Sequence, residues 1–249
     1  MDRPLRVTCL RGRTSDRTDG AGAGAQALAE RLGGRIVGSP EPGRPRAWSE
    51  DLPASQPVLE AAAAEVSAAL DQAELPLLTA SDCTICIATL PTVARRVPGV
   101  RVLWIDAHGD FNTPETTSSG FLGGMCLAAA CGRWDAGWAD TIDPRSVWFL
   151  GVRDLDPGER VQVDRAGVQT GVPDEGPVYV HLDLDGLDPE VMPVQFPVPG
   201  GLQPGEVQDV LTALVASGRL VGLEVTAFEH PEHLDLVVAI LEPVAGRPA

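Results

Sequence analysis

The chain has 249 residues, a formal net charge of −16 and 44% hydrophobic side chains, enough for a sizeable core and too apolar for compositional disorder. No basic stripe runs through it, which argues against a nucleic-acid partner. All 19 basic side chains are arginine, and without lysine neither a P-loop nor a Schiff-base pyridoxal site can be built. The apolar runs fall short of the ~18 residues of a membrane span. The start, Met1 to Arg6, lacks an apolar signal core, and five cysteines make no disulfide framework, so a reducing cytoplasm is expected.

Arg6 to Leu10 reads as a first strand, and Arg11 to Gly24 as a surface loop. Ala25 to Leu32 reads as a helix, and Ile36 to Gly38 as a short strand. Pro40 to Pro53 carries four prolines and reads as an exposed loop. Pro57 to Leu70 is Ala-rich with helical spacing. Leu75 to Thr79 predicts a strand, followed by the Cys83 segment and a helix through Arg96. Val100 to Ile105 predicts a buried strand ending at Asp106. Gly123 to Cys131 reads as a helix of small residues. Ser146 to Val152 predicts a strand, then a turn at Asp156-Pro157-Gly158 and a helix over Glu159 to Ala166. Val178 to Leu182 predicts a strand running into Asp183. Pro204 to Ser217 is an amphipathic helix with Gly218 just past its end. Leu220 to Val225 reads as a strand, and His233 to Leu241 as a closing helix.

Apolar strands alternating with helices predict an α/β fold whose parallel sheet is covered on both faces. Ligands of such sheets bind beyond the carboxyl ends of the strands. Two acidic motifs sit there. In Asp106-Ala107-His108-Gly109-Asp110, alternate residues point to one side and aim two carboxylates and an imidazole at one point. Asp183-Leu184-Asp185 repeats the device. Gathered without a counter-charge, these groups would repel and pay heavy desolvation, which a divalent cation removes. Oxygen donors with an imidazole suit Mn, and less specifically Mg, Fe or Zn. A single Asp-x-Asp after a strand is often a cap or turn, but two such motifs, one containing histidine, favour metal.

Trp104-Ile105-Asp106-Ala107-His108-Gly109-Asp110-Phe111-Asn112-Thr113-Pro114 closely resembles the signature of the ureohydrolases, the family of arginase, agmatinase and formiminoglutamase. Three further segments agree in order. They are Gly151-Val152-Arg153-Asp154-Leu155-Asp156-Pro157-Gly158-Glu159, His181-Leu182-Asp183-Leu184-Asp185-Gly186-Leu187-Asp188-Pro189 and Gly222-Leu223-Glu224-Val225. The resemblance covers roughly residues 75 to 240. It implies a three-layer α/β/α fold with a mostly parallel sheet, a single arginase-like domain over residues 1–249, and trimers or hexamers. It also implies two Mn ions bridged by a hydroxide that attacks a guanidino carbon. By position, Asp106 and Asp183 would bridge both metals, Asp110 would complete one site, and His108 and Asp185 the other. Asn112 and Ser119 match positions that bind a substrate α-carboxylate, and Asp156 one that receives its α-amino group.

Four positions depart from the family pattern. The metal motif Gly-Gly-Asp-His-Ser stands here as Ala80-Ser81-Asp82-Cys83-Thr84, which makes Cys83 the sixth ligand, a softer donor that admits zinc or iron. The alternative for Cys83 is a small buried hydrophobe. The proton-shuttling histidine is Gly123, and Phe121 replaces a polar substrate contact with an aromatic wall. The carboxylate that grips the guanidinium aligns with Ala227, and Glu229, of the same strand parity, is the substitute expected to join Asp106 and Asp110 in catalysis. A cysteine ligand with glycine at the shuttle position resembles the N-omega-hydroxyarginine hydrolases within the family. The expectation is therefore a hydrolase acting on a guanidino or N-hydroxyguanidino compound; the alternative is a homologue that binds metal or a metabolite without catalysis. His230 and His233 read as surface or cap residues, and Cys9, Cys126 and Cys131 as buried packing.

Overall fold

The computed structural model describes residues 3–246; Met1 and Asp2 of the amino-terminal stretch lie outside them. The apolar runs become eight strands: β1 (Leu5–Arg11), β2 (Arg35–Gly38), β3 (Leu75–Thr79), β4 (Arg101–Ile105), β5 (Val147–Leu150), β6 (Gln169–Thr170), β7 (Val178–Asp183) and β8 (Leu220–Thr226). They form one sheet in the order β2-β1-β3-β8-β7-β4-β5-β6, and every pair is parallel. The helices are α1 (Gly20–Arg31), α2 (Trp48–Asp71), α3 (Cys86–Arg96), α4 (Cys126–Ala130), α5 (Pro157–Ala166), α6 (Pro204–Ala216) and α7 (Leu234–Ala245).

Strands β3, β7 and β8 are buried along their whole length, as strands sandwiched between two helical layers must be. One face packs Leu78, Trp104 and Tyr179 against α2, α3 and α4. The other packs Leu77, Leu103 and Val180 against α1, α6 and α7. The three-layer α/β/α architecture with a parallel sheet is thus the observed one.

The segment from Arg11 to Gly24 is not a surface loop. Arg13, Thr14 and Ser15 are buried, and α1 begins at Gly20 rather than Ala25. Tertiary contacts decide this. Ser15 donates its N–H and its hydroxyl to Asp82 Oδ2, each at 2.7 Å. A β-carbon at Gly24 would overlap the backbone carbonyl of Phe228, so this helix needs glycine where it meets the end of β8.

Nor is Pro40 to Pro53 loop throughout, because α2 starts at Trp48 and runs through Pro53 and Pro57. Each proline forfeits a helical N–H bond, which the helix repays with anchoring contacts. Trp48 packs edge-on against Trp134 at 5.4 Å. Asp51 accepts from Arg13 Nη2 at 2.6 Å and Nε at 3.0 Å, an ion pair whose side chains are 1% and 2% exposed. The expected small-residue helix over Gly123 to Cys131 is a 3-10 turn followed by the short α4, and the two-residue β6 carries no sequence pattern long enough to announce it.

The Arg13–Asp51 pair ties the loop after β1 to α2. Removing one partner leaves a buried, uncompensated charge. Asp51→Ala is expected to lower unfolding free energy by about 3–5 kcal/mol in chemical denaturation. An unchanged denaturation midpoint would show that water reaches Arg13 and solvates it.

Candidate metal centre and its cleft

The strand ends determine what gathers. Chains leaving β4 and β7 side by side bring Asp106 next to Asp183, because Ile105 and Leu182 are register partners. Beyond them the backbone turns, and the turns are held by the carboxylates. Asp106 Oδ1 accepts from the His108 N–H at 2.6 Å, and Asp183 Oδ1 from the Asp185 N–H at 2.7 Å. Asp185 Oδ1 accepts from the Ala107 N–H at 3.0 Å, which stitches the two motifs together. Arg153 donates to the carbonyls of Asp185, Gly186, Leu187 and Val198 and so pins the loop after β7. Glu159, at the start of α5, accepts from the N–H groups of Phe111 and Asp156 at 2.8 and 3.1 Å and pins the loop after β4.

Two groups of donor atoms result, each within 4.8 Å of one another: Cys83, Asp106, His181 and Asp183; and Asp106, His108 and Asp185. They share Asp106. Cys83 Sγ donates to Asp183 Oδ2 at 2.8 Å and lies 3.4 Å from Thr226 Oγ1. His108 Nδ1 lies 3.0 Å from Asp185 Oδ2. Asp110 falls outside both groups. It is buried, its backbone is left-handed at φ 49°, and its Oδ2 lies 3.7 Å from Cys126 Sγ. A non-glycine residue held in that region costs of order 1–3 kcal/mol, a strain that clusters at functional sites.

The electrostatics are those of a site short of positive charge. Burial, and then the charges of Asp185, Asp110 and Asp183, push the Asp106 carboxyl far above its ordinary range. Burial followed by Asp185 raises Asp183 to about 8. Burial opposes a charge on His108, but hydrogen bonds to Asp106 and Asp185 prevail and hold it up to about 12. Asp185, against the same burial, is lowered by its bond to His108. Burial and three neighbouring aspartates lift the Cys83 thiol well above its usual value. Asp106 Oδ2 and His181 Nε2 are buried with no hydrogen-bond partner. Orphaned acceptors, crowded carboxylates and a thiol beside them fit divalent cations, which would lower the raised carboxyl, thiol and imidazolium groups and reinforce the ionised Asp185.

Above these groups opens a cleft of about 230 Å³. Asn112, Ser119, Phe121, Asp156 and Glu229 all line it, as do the six expected metal ligands. Asn112 Nδ2 donates to Asp156 Oδ2 at 3.4 Å, Ser119 Oγ accepts from the Phe121 N–H at 3.2 Å, and Glu229 sits at the rim, taking the Thr18 hydroxyl at 2.8 and 3.0 Å. Sequence reasoning missed Arg17 and Phe196. The Arg17 guanidinium lies 4.7 Å over the Phe121 ring, which packs 5.3 Å from Phe196. Both belong to segments without helix or strand periodicity, so no pattern in the chain singled them out. A β-carbon at Gly123 would stand 2.5 Å from Phe121 Cε1, so the phenyl ring occupies the space a side chain at 123 would need. Glu224 lies beneath the site, bonded to His181 and Tyr179, and Ala227 presents no carboxylate. His233 stands at the position before α7 and His230 before the 3-10 turn that precedes it, neither with a side-chain capping bond, and all five cysteines are buried and unpaired.

A model of the arginase family matches residues 19–232. The chain belongs to the arginase family. It is 37% identical to the N(omega)-hydroxy-L-arginine amidinohydrolase of Streptomyces lavendulae, over 95% of this chain and 97% of that protein. It is 39% identical to the arginase of Bacillus caldovelox, over 76% of this chain and 74% of that one. The native structure of the Bacillus caldovelox arginase superposes with a TM-score of 0.81 at 27% identity, with 99% of each chain covered.

The pH dependence follows from the shifts. A carboxyl raised from 3.8 to about 8 in the folded state binds a proton that the unfolded chain releases, so Asp183 withdraws stability as pH climbs between those values. His108, raised from 6.5 to about 12, withdraws stability in the same direction as pH climbs from 6.5. The metal-free protein is therefore expected to melt at progressively lower temperature from pH 5 to 9, and the metal-loaded protein to resist that fall. Parallel melting curves with and without metal would contradict the charge deficit.

Proposed function

We propose that this arginase-family hydrolase cleaves a C–N bond of a guanidino or N-hydroxyguanidino compound at a centre of two divalent cations, Mn2+ first among them. The observation that carries this reading is the pair of buried donor groups sharing Asp106 on the floor of the cleft. Cys83, Asp106, Asp110 and Asp183 would hold one cation, and Asp106, His108, Asp183 and Asp185 the other. Bound there, the cations would supply Lewis acidity and positive charge at the reacting carbon and acidify water.

The chain's own residues do the rest. Asp110, strained into position beside Cys126, is assigned to hold the water-derived proton, and Asp106 to fix the geometry between the two cations. Asn112 and Ser119 are assigned to a substrate α-carboxylate and Asp156 to its α-amino group, with Arg17 adding positive charge at the mouth. Phe121 and Phe196 wall the cleft and exclude water from the reacting end.

N-omega-hydroxy-L-arginine is the favoured substrate. An N-hydroxyguanidine is less basic than a guanidine and demands less of a carboxylate partner, which fits Ala227. Glu229, held by Thr18 at the rim, is the carboxylate left to meet its N–H groups. The five unpaired cysteines favour a reducing cytoplasm, and among the described residues no helix is long and apolar enough to cross a membrane. A single domain assembling as a homotrimer or homohexamer is the form we expect.

Purified protein loaded with Mn2+ is expected to release hydroxyurea from N-omega-hydroxy-L-arginine with a kcat/KM roughly 10²-fold above urea release from arginine, the lower bound of a missing general acid. Agmatine, without an α-carboxylate, is expected to be poorer still. No urea, hydroxyurea or ammonia from any of the three, with two metals bound, would leave a homologue that binds without hydrolysing. Cys83→His, which exchanges a soft donor for an imidazole, is expected to move metal preference from zinc toward manganese in competition dialysis.

A further inference from the structure

One buried imidazole is used by none of the assignments above. His181 lies on β7 two residues before Asp183, and so points to the same face of the sheet. Its ring stacks on its register partner Trp104 at 3.6 Å and 6°. Its Nδ1 lies 2.7 Å from Oε1 of Glu224, its register partner on β8, and Oε2 of the same carboxylate accepts the Tyr179 hydroxyl at 3.0 Å. All four side chains are 0% exposed.

Glu224 therefore claims Nδ1 and fixes it as the N–H end of the ring. Nε2 is left buried without a partner, and a ring nitrogen of His181 lies within 4.8 Å of Cys83 Sγ and of carboxylate oxygens of Asp106 and Asp183. An unpaired nitrogen in a fully buried ring costs roughly 1–3 kcal/mol, so its direction demands an explanation.

We propose that His181 Nε2 is a ligand of the subsite that contains Cys83, and supplies from below the imidazole that Cys83 removed from the side. This rests on the binuclear reading above. The arrangement is the one that metal-binding histidines adopt, with the far N–H given to a carboxylate that sets the tautomer and holds the ring. Bonds of about 2.0–2.3 Å to one cation set its ligand atoms ~3.3–4.6 Å apart, inside the spread of this group. Trp104 and Tyr179 lock the ring and its carboxylate, so the nitrogen is preorganised before any cation arrives. With a thiolate and an imidazole beside the carboxylates of Asp106, Asp110 and Asp183, the Cys83 subsite becomes the softer of the two, and the His108 subsite the harder.

Cobalt reports both features. In Co2+-loaded wild type, a sulfur-to-metal charge-transfer band marks the Cys83 subsite, and X-ray absorption counts imidazoles. We expect two imidazoles per pair of metals. His181→Asn, which keeps an amide to meet Glu224, is expected to lower both the count to one and the affinity of the sulfur-marked subsite by about 10- to 100-fold. Circular dichroism of the metal-free variant checks that it folds. If it does not fold, the imidazole count in the wild type decides by itself. One imidazole per two bound metals, or a variant with unchanged affinity and band, overturns the assignment and reduces His181 to a buried packing partner of Trp104 and Glu224, while the binuclear centre stands. A wild type that takes up no cobalt overturns both.

Discussion

The parallel sheet brings Asp106, Asp110, Asp183 and Asp185 to one end, buries all four, and provides a single ring, His108, facing them from the cleft. In a low-dielectric pocket such a gathering cannot stay fully ionised by itself. Everything around it is arranged as though positive charge will arrive. Backbone N–H groups of Ala107, His108 and Asp185 hold the carboxylates in place before it does. Arg153 and Glu159 serve this end by fixing the two loops that carry them. Each satisfies backbone groups that would otherwise let the loops move.

Four positions around the centre, Cys83, Phe121, Gly123 and Ala227, differ from the arginase pattern together, and they have one physical logic. Cys83 softens one subsite. Phe121 turns inward and takes the volume that a side chain at Gly123 would fill. Ala227 withdraws a carboxylate from the wall. The cleft thereby loses polar partners for a strongly basic leaving end and acquires an aromatic wall topped by Arg17 and Phe196. A pocket that offers fewer hydrogen bonds accepts a less basic, less solvated group at lower desolvation cost. Polar side chains remain along the cleft in Asn112, Ser119 and Asp156.

Beneath the centre the sheet is not purely apolar. Tyr179, His181 and Glu224 form a buried polar row across β7 and β8, roofed by Trp104. Such a row is costly unless every member is satisfied. Two nitrogens of this group lack a partner, the Trp104 indole N–H and His181 Nε2, and the second belongs to the ring that lies by Cys83, Asp106 and Asp183.

The order of apolar runs determined the layered parallel sheet, and the period-two spacing at the ends of two runs placed the carboxylates together. Both are local consequences of strand geometry, so they were legible in the chain. By the same rule His181 shares the face of Asp183, but its role was invisible, because it depends on Glu224 and Trp104 from strands distant in sequence and adjacent in space. The burial of Arg13 to Ser15, the early start of α2 through its prolines, and the placement of Arg17 and Phe196 at the mouth were likewise decided by partners distant in sequence, from 38 residues away for Arg13 and Asp51 to 67 for Ser15 and Asp82 and beyond. Local sequence carries propensity and alternation. It does not carry which distant side chain will satisfy a buried charge, and that pairing is what tertiary structure alone decided here.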